Sequence, residues 1–340
     1  MSSIKQIPYI KPDTISFITT YKCTASCNNC CFGCSPTRTE RIFKPNILKI
    51  IKQSIELYRD SLKLLVLTGG ECFIFYKEII DIIKFASEEG LLVRVITNGY
   101  WCTNKLITYK KLTQLKNAGL NEINFSTGDE HQKWVKLQNI VNGASVSMSL
   151  GITTLINVET HDNSKFDYKL LYQHKELQPY INKKESPLII NRSVWIPFTK
   201  EKFSYNKSII HKNRTTCNSI LHTISISPNS EILSCCGLTS NRITYLILGD
   251  LKKASLHDLY LSQFFDFIKI WIYTEGPFVI SNYLNTTFNK NIPIHTHICE
   301  QCKEILNNQH NIELLKNIPS DKKNNIFFKY ILKIKSNEKQ

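Results

Sequence analysis

A chain of 340 residues that is 42% hydrophobic and 11% aromatic has the apolar mass for a substantial core, which excludes disorder as a description of the whole. It has no run of about 18 consecutive apolar residues to span a bilayer, and its first eleven residues carry no apolar stretch before a small-residue cleavage site. The expectation is a cytoplasmic protein with no membrane partner. Forty-three Lys and Arg against 28 Asp and Glu give a formal charge of +15, which favours anionic partners. The lysines are dispersed among Ile and Asn, so a solvated surface is the plainer reading and nucleic acid is a disfavoured partner.

Short apolar runs alternate with amphipathic stretches through the first half of the chain. Strands are expected over 14–20, 64–68, 91–97, 121–126, 145–153 and 187–195. After Pro45, suited to a first helical turn, Ile47, Ile50, Ile51, Ile55 and Tyr58 recur at helical spacing. Ile79, Ile80, Ile83 and Ala86 form a second stripe that stops at Gly90, and Leu106, Leu112, Leu115 and Ala118 a third that stops at Gly119. Six strands with helical crossovers predict an α/β fold, a partial (β/α)6 TIM-like barrel over residues 1–200. Past about Pro197 the chain turns polar, with strand-like runs at 223–227 and 243–248, so an α+β extension is expected over 201–310. Residues 311–340 are basic and moderately amphipathic, and read as a helix docked on the body or a tail.

Twelve cysteines in a chain without an export signal point to metal binding or catalysis, because the cytosol keeps thiols reduced. One group is Cys23, Cys27, Cys30, Cys31 and Cys34, and a second is Cys217, Cys235, Cys236, Cys299 and Cys302. In the first, Cys23-x3-Cys27-x2-Cys30 follows the first strand in a polar loop where three thiolates can converge. Three thiolates on a four-iron cubane leave one iron open for another ligand. Zinc is the alternative, with Cys30, Cys31 or Cys34 as further ligands. Three more elements stand at expected strand ends: Thr68-Gly69-Gly70-Glu71, Thr97-Asn98-Gly99 and Ser126-Thr127-Gly128-Asp129-Glu130-His131. Barrels assemble active sites at such ends.

Together these motifs resemble the signature of the radical S-adenosylmethionine (SAM) superfamily, over about residues 14–200. The resemblance implies a [4Fe-4S] cluster on Cys23, Cys27 and Cys30, with SAM chelated at its open iron. It implies cofactor contacts at Gly69, Gly70, Glu71, Asn98 and Ser126, with the Glu71 carboxylate accepting from the SAM ammonium. A reductant such as flavodoxin or ferredoxin would then drive cleavage of SAM to a 5′-deoxyadenosyl radical that abstracts hydrogen. Asp129 and His131, at the barrel mouth, are catalytic candidates, though Asp129 is equally suited to cap the next helix. Asn29 stands where the family often has an aromatic residue, and Cys72 where proline is frequent. Cys31, Cys34, Cys72 and Cys102 read as spare ligands or, more plainly, as small buried hydrophobes.

In the second group, strand-like residues 223–227, a Pro228-Asn229-Ser230 turn and Glu231-Ile232-Leu233-Ser234-Cys235-Cys236 form a hairpin that brings Cys217 and Cys235 together. Cys299-x2-Cys302 supplies two more thiols from one turn. This order resembles the SPASM or twitch extension of peptide-modifying radical SAM enzymes, with Ser230 where that family usually has glycine. Cys217, Cys235, Cys299 and Cys302 complete one site, so a single auxiliary [4Fe-4S] cluster of twitch type is implied, with zinc again the alternative. The cysteine-dense opening resembles peptide epimerases of epipeptide type, which implies Cα epimerisation (L to D) of a ribosomally made precursor peptide, for which an acidic precursor would suit the charge. Thioether or carbon-carbon crosslinking is the near alternative. RNA modification and a non-catalytic zinc module are the distant ones. No leader-binding domain is expected ahead of a first strand that begins near Thr14. Cys236 is the candidate hydrogen donor, against a buried hydrophobe or an exchange of roles with Cys235.

Overall fold

The computed structural model describes residues 8–181, 186–198, 203–205 and 216–337. Six parallel strands come first: β1 (Thr14–Ile18), β2 (Leu64–Thr68), β3 (Leu92–Thr97), β4 (Glu122–Thr127), β5 (Thr153–Thr160) and β6 (Leu188–Val194). Helices α1 (Lys44–Tyr58), α2 (Tyr76–Glu88), α3 (Lys105–Asn117), α5 (Leu137–Ser149) and the short α6 (Lys169–Gln173) lie in the crossovers, with a single turn, α4 (Asp129–Gln132), directly after β4. This is the open α/β barrel expected; β1 and β2 are apolar runs with their central residues buried, whereas the edge strand β6 is partly exposed.

The α1 stripe buries Ile47, Ile50, Ile51, Ile55 and Tyr58. In α3 the expected stripe is rotated: Thr108, Leu112 and Leu115 are buried, while Leu106 is 66% exposed. At 100° per residue, Leu106 lies far round the helix from Leu112, which is itself one turn from Thr108 and one from Leu115.

The fifth strand is the main departure from the sequence reading. Residues 145–149, expected as strand, are the last turn of α5, and β5 begins at Thr153. The alternation Ser145-Val146-Ser147-Met148-Ser149 imitates a period of two. The serines, however, donate to helix carbonyls, Ser147 Oγ to Gly143 O at 2.7 Å and Ser149 Oγ to Val146 O at 2.8 Å. A hydroxyl so paired need not face solvent, and the helix keeps its period.

The extension continues the same sheet. Strand β7 (Thr223–Ile226) pairs in parallel with β1, then β8 (Glu231–Leu233) and β9 (Ile247–Asp250) follow antiparallel, giving the order β6-β5-β4-β3-β2-β1-β7-β8-β9. The run expected as strand over 243–248 opens with a 3₁₀ turn at Thr244–Leu246, and only its end joins β9. At the β7–β8 turn Ser230 has φ +68°, the left-handed conformation that glycine adopts most cheaply, which accounts for glycine as the usual residue there.

Six helices close the chain: α7 (Leu256–Ser262), α8 (Phe267–Thr274), α9 (Pro277–Phe288), α10 (Ile298–Leu306), α11 (Gln309–Lys316) and α12 (Ser320–Asn337). The C-terminal piece is thus two helices. α12 docks through buried Ile326, Tyr330 and Ile334, and the Tyr330 hydroxyl donates to Pro8 O at 2.9 Å. Among the described residues no helix is long and apolar enough to cross a membrane.

Candidate active site

The long connection after β1 folds back on itself, with Cys23 N donating to Ser35 O and Ser35 N to Tyr21 O, and a turn closes from Cys30 N to Cys27 O. This places Cys23, Cys27 and Cys30 at the mouth of a cavity of about 490 Å³ inside the barrel. Gly69, Gly70, Asn98, Ser126 and His131 line the same cavity from the C-terminal ends of β2, β3 and β4. Eight expected site residues on four segments are therefore adjacent, together with Cys236 from the extension.

The two glycines serve a close approach of chain to chain. Gly70 N donates to Thr20 O at 2.7 Å and Glu71 N to Lys22 O at 2.9 Å. A Cβ on Gly70 would stand 2.2 Å from Lys22 O. The backbone that presents Cys23 is thus braced directly on the β2 end. Gly70→Ala is expected to destabilise the chain by about 1–3 kcal/mol, the usual cost of overpacking, read from chemical denaturation.

Glu71 takes a different place from the one expected. Its carboxylate is fully buried, is not part of the cavity wall, and accepts from Phe73 N at 3.0 Å, Thr97 Oγ1 at 3.0 Å and Asn98 N at 2.8 Å. Three protein donors leave little of the carboxylate free for an ammonium. Burial pushes its pKa up to about 7 against the pull of those donors. Its role in this geometry is to hold Asn98, whose side-chain amide donates to Thr24 Oγ1 at 2.9 Å and points at Cys23 Sγ, 3.6 Å away.

Asp129 also lies outside the cavity, and opens α4 without a side-chain cap bond to it. Its two oxygens accept from Lys165 N at 2.6 Å and Phe166 N at 2.9 Å, pinning the loop after β5. His131 does face the cavity, edge-on to Trp195 with ring centroids 4.7 Å apart.

A residue the sequence reading missed organises this side of the site. Glu159, near the end of β5, is 1% exposed and accepts from Asn29 Nδ2 at 2.7 Å and Glu130 N at 2.6 Å, with His131 Nδ1 at 3.9 Å. Glu130 in turn accepts from Asn28 N at 3.2 Å. Asn29, where an aromatic residue was the usual form, is therefore a tether between the cysteine loop and β5. Burial raises the Glu159 pKa, but the His131 ring and the amides of Glu130 and His131 lower it further, so the carboxyl sits below its ordinary range. The signal was a lone acidic residue in the run Thr153-Thr154-Leu155-Ile156-Asn157-Val158-Glu159, hidden because the strand was placed too early. Glu159→Ala is expected to cost about 1.5–3 kcal/mol, the range for a hydrogen bond to a charged group, checked by denaturant unfolding.

Burial pushes the Cys23 thiol up to about 12 and the Cys27 thiol well up, whereas the Cys34 S–H donating to Cys30 pulls Cys30 down. Buried thiols that resist ionisation alone suit a cationic group that would share their charge, and the cavity beside them has room for one. The donor set fits an iron-sulfur group with an open side toward the cavity. Cys34 belongs to the small apolar cluster around Ile18, Tyr21 and Cys23, and Cys72 and Cys102 are fully buried core residues.

In the extension, Cys235 is buried, and after burial the neighbouring thiols of Cys217, Cys299 and Cys302 raise its pKa. A Cβ on Gly237 would stand 3.0 Å from Cys299 Sγ and 3.5 Å from Cys235 Sγ. Burial also raises Cys217, Cys299 and Cys302, so this set too suits a group that takes up thiolate charge. Cys236 is exposed, contacts Ser219 Oγ at 3.2 Å and faces the barrel cavity. Both cysteines lie past the last residue of β8. Among the described residues no three His, Cys, Asp or Glu side chains stand close enough to grip a single metal ion.

Residues 17–147 match the Radical SAM superfamily. This stretch runs from β1 to the end of α5 and includes the first cysteine group, the Gly69-Gly70 turn, Asn98 and His131. A Bacillus subtilis (strain 168) protein, YydG, whose name assigns it to peptide biosynthesis, is 29% identical over 132 residues, 38% of this chain. The matched part is 40% of that relative's length. Among solved structures, BtrN in complex with AdoMet and 2-DOIA aligns with TM-score 0.49 and 11% identity, over 80% of this chain and 91% of that one. Native anSMEcpe with bound AdoMet aligns with TM-score 0.48 and 10% identity, over 73% and 80%.

Proposed function

We propose that the chain is a radical SAM enzyme that abstracts a hydrogen atom from a ribosomally made peptide, with Cα epimerisation as the outcome. The observation that carries this reading is the shared cavity: Cys23, Cys27 and Cys30 border it on one side and the exposed thiol of Cys236 on another. The superfamily match over 17–147 supports the radical chemistry, and the relative named for peptide biosynthesis supports a peptide substrate. When bound, the [4Fe-4S] cluster and SAM supply hydrogen abstraction from an unactivated carbon.

In this reading Cys23, Cys27 and Cys30 hold the first cluster, and Gly69, Gly70, Asn98 and Ser126 form the SAM-facing wall. Glu71 fixes Asn98, and Glu159 fixes the cysteine loop. His131 is placed to meet the adenosyl or peptide part, and Asp129 serves the loop after β5. Cys217, Cys235, Cys299 and Cys302 hold an auxiliary [4Fe-4S] cluster in a twitch-like unit, and Cys236 delivers the returning hydrogen. A flavodoxin or ferredoxin supplies the electron.

The test is incubation of the reduced, reconstituted protein with SAM and a precursor peptide encoded beside it, in deuterated water. Epimerisation predicts a D-residue carrying one deuterium and a mass gain of one. A product two mass units lighter would replace this reading with crosslinking. SAM cleavage with no change in any peptide would remove the peptide assignment.

A further inference from the structure

Strand β6 ends the sheet: it pairs with β5 on one side, and no described strand pairs with the other. One bond sets the parity of that ladder. Thr154 N donates to Pro187 O at 2.7 Å, so in this parallel pair the odd residues Ile189, Asn191 and Ser193 exchange bonds with β5. The even residues, Leu188, Ile190, Arg192 and Val194, turn their N–H and C=O groups to the open edge.

Leu188 is closed locally, because its N–H donates to Ser186 Oγ at 3.1 Å and that hydroxyl lies 3.2 Å from Leu188 O. The backbone groups of Ile190, Arg192 and Val194 have no hydrogen-bond partner among the described residues. Beside them Ile189 is 51% exposed, and the strand carries a single charge, at Arg192. An open edge with an exposed apolar residue and unpaired backbone groups is a template for another strand.

This edge leads into the site already described. Ser193 and Val194, with Trp195 just beyond, line the cavity that Cys23, Cys27 and Cys30 border. Asn191 faces the same way, its amide donating at 3.2 Å to Asn157 Oδ1, and Asn157 lines that cavity too. Arg192 points to the opposite face, 4.7 Å from the centre of the Tyr168 ring, where it lines a second cavity of about 840 Å³ with Lys165, Phe166 and Tyr168. A strand laid along β6 would therefore send alternate side chains into two different cavities.

We propose that the open edge of β6 is the docking site of the substrate peptide, which adds to the sheet as an extended strand held by main-chain hydrogen bonds to Ile190, Arg192 and Val194. The assignment rests on reading the substrate as a peptide. Pairing of this kind is indifferent to most side chains, yet its register decides which residue enters the cysteine-lined cavity, because a slip of one position sends the neighbouring side chain there instead. The edge thus selects the carbon presented for hydrogen abstraction, and the outer cavity receives the residues on either side of it.

Two measurements test this on the reconstituted full-length protein with SAM and a synthetic peptide spanning the modified residue of the precursor encoded beside it. The first is hydrogen-deuterium exchange resolved to single amides. Saturating peptide is expected to slow exchange at Ile190 and Arg192 at least about tenfold, while Ile189 and Asn191, already bonded to β5, change little. The second is a series of the same peptide with one backbone N-methyl group moved along it. KM is expected to rise at least about tenfold at every second position and to change little at the positions between. A peptide that is modified yet leaves Ile190 and Arg192 unprotected, or whose N-methyl sensitivity has no period of two, overturns the docking edge and leaves the peptide reading standing. A peptide that is neither modified nor protective overturns the peptide reading, and the docking edge with it.

Discussion

Replacing Cys23, Cys27 and Cys30 together by Ala is expected to halve the iron of the anaerobically reconstituted protein, from about eight atoms to about four, and to abolish SAM cleavage. The three thiols border the barrel cavity from the loop after β1, as do those of Cys31 and Cys34. Their replacement leaves the second group untouched, because those cysteines lie in separate segments around Gly237 and α10. The neighbouring thiols provide the control. Cys34 is packed among Ile18, Tyr21 and Ala25 and donates to Cys30, so Cys34→Ala removes one support of Cys30 but no ligand. It is expected to keep eight irons. Measured together, iron content, visible absorption and 5′-deoxyadenosine release separate the readings. Product formation by the triple variant under reducing conditions would end the assignment of the first site. A colourless protein that binds zinc through Cys34 would replace the cluster with a closed zinc site.

The parts of this fold legible in the sequence are those where one physical signal acts alone. Short strand-like runs bounded by turn residues and helical stripes are such a signal, and β1, β2, β3, β4 and β6 lie within a few residues of the ranges expected. The cysteine spacing and the Gly-Gly turn were equally plain, since a thiol triplet and a close backbone approach each leave few substitutes. Where two signals compete, the reading failed. Three serines in α5 mimic a strand because their bonds to helix carbonyls cannot be seen in a pattern of polarity. That error moved β5 and concealed Glu159, whose bonds to Asn29 and Glu130 tie the cysteine loop to the far side of the barrel. The place of Glu71 was hidden for another reason. A glutamate after Gly-Gly can face the cavity or the rim, and only the packing of Thr97 and Asn98 around it selects the rim.

The second large effect is expected at Cys236, where replacement by Ala should leave both iron centres and SAM cleavage intact yet stop inversion of the peptide. Epimerisation requires that the hydrogen return to the face opposite the one from which it left, so the donor must reach the carbon without being the group that abstracted. A cysteine thiol meets the chemical demand, because its S–H bond is weaker than the bond formed at a backbone carbon. The geometry separates it from the neighbouring ligand: Cys235 is buried near Cys217, Cys299 and Cys302, while Cys236 is exposed at the barrel cavity with Ser219 as its polar contact. Ser219 Oγ also accepts from Cys236 N at 3.1 Å, which fixes the backbone that carries the thiol. Ser219→Ala is therefore expected to lower the yield in part, while Cys236→Ala removes it. Cys236→Ser, whose O–H bond is too strong to give up a hydrogen atom to carbon, should fail as fully as Ala despite its near-identical size. The decisive measurement is solvent deuterium in the peptide alongside 5′-deoxyadenosine release. Normal epimer yield with deuterium in either Cys236 variant would assign the donor elsewhere, and loss of iron from Cys236→Ala would exchange the roles of the two adjacent cysteines.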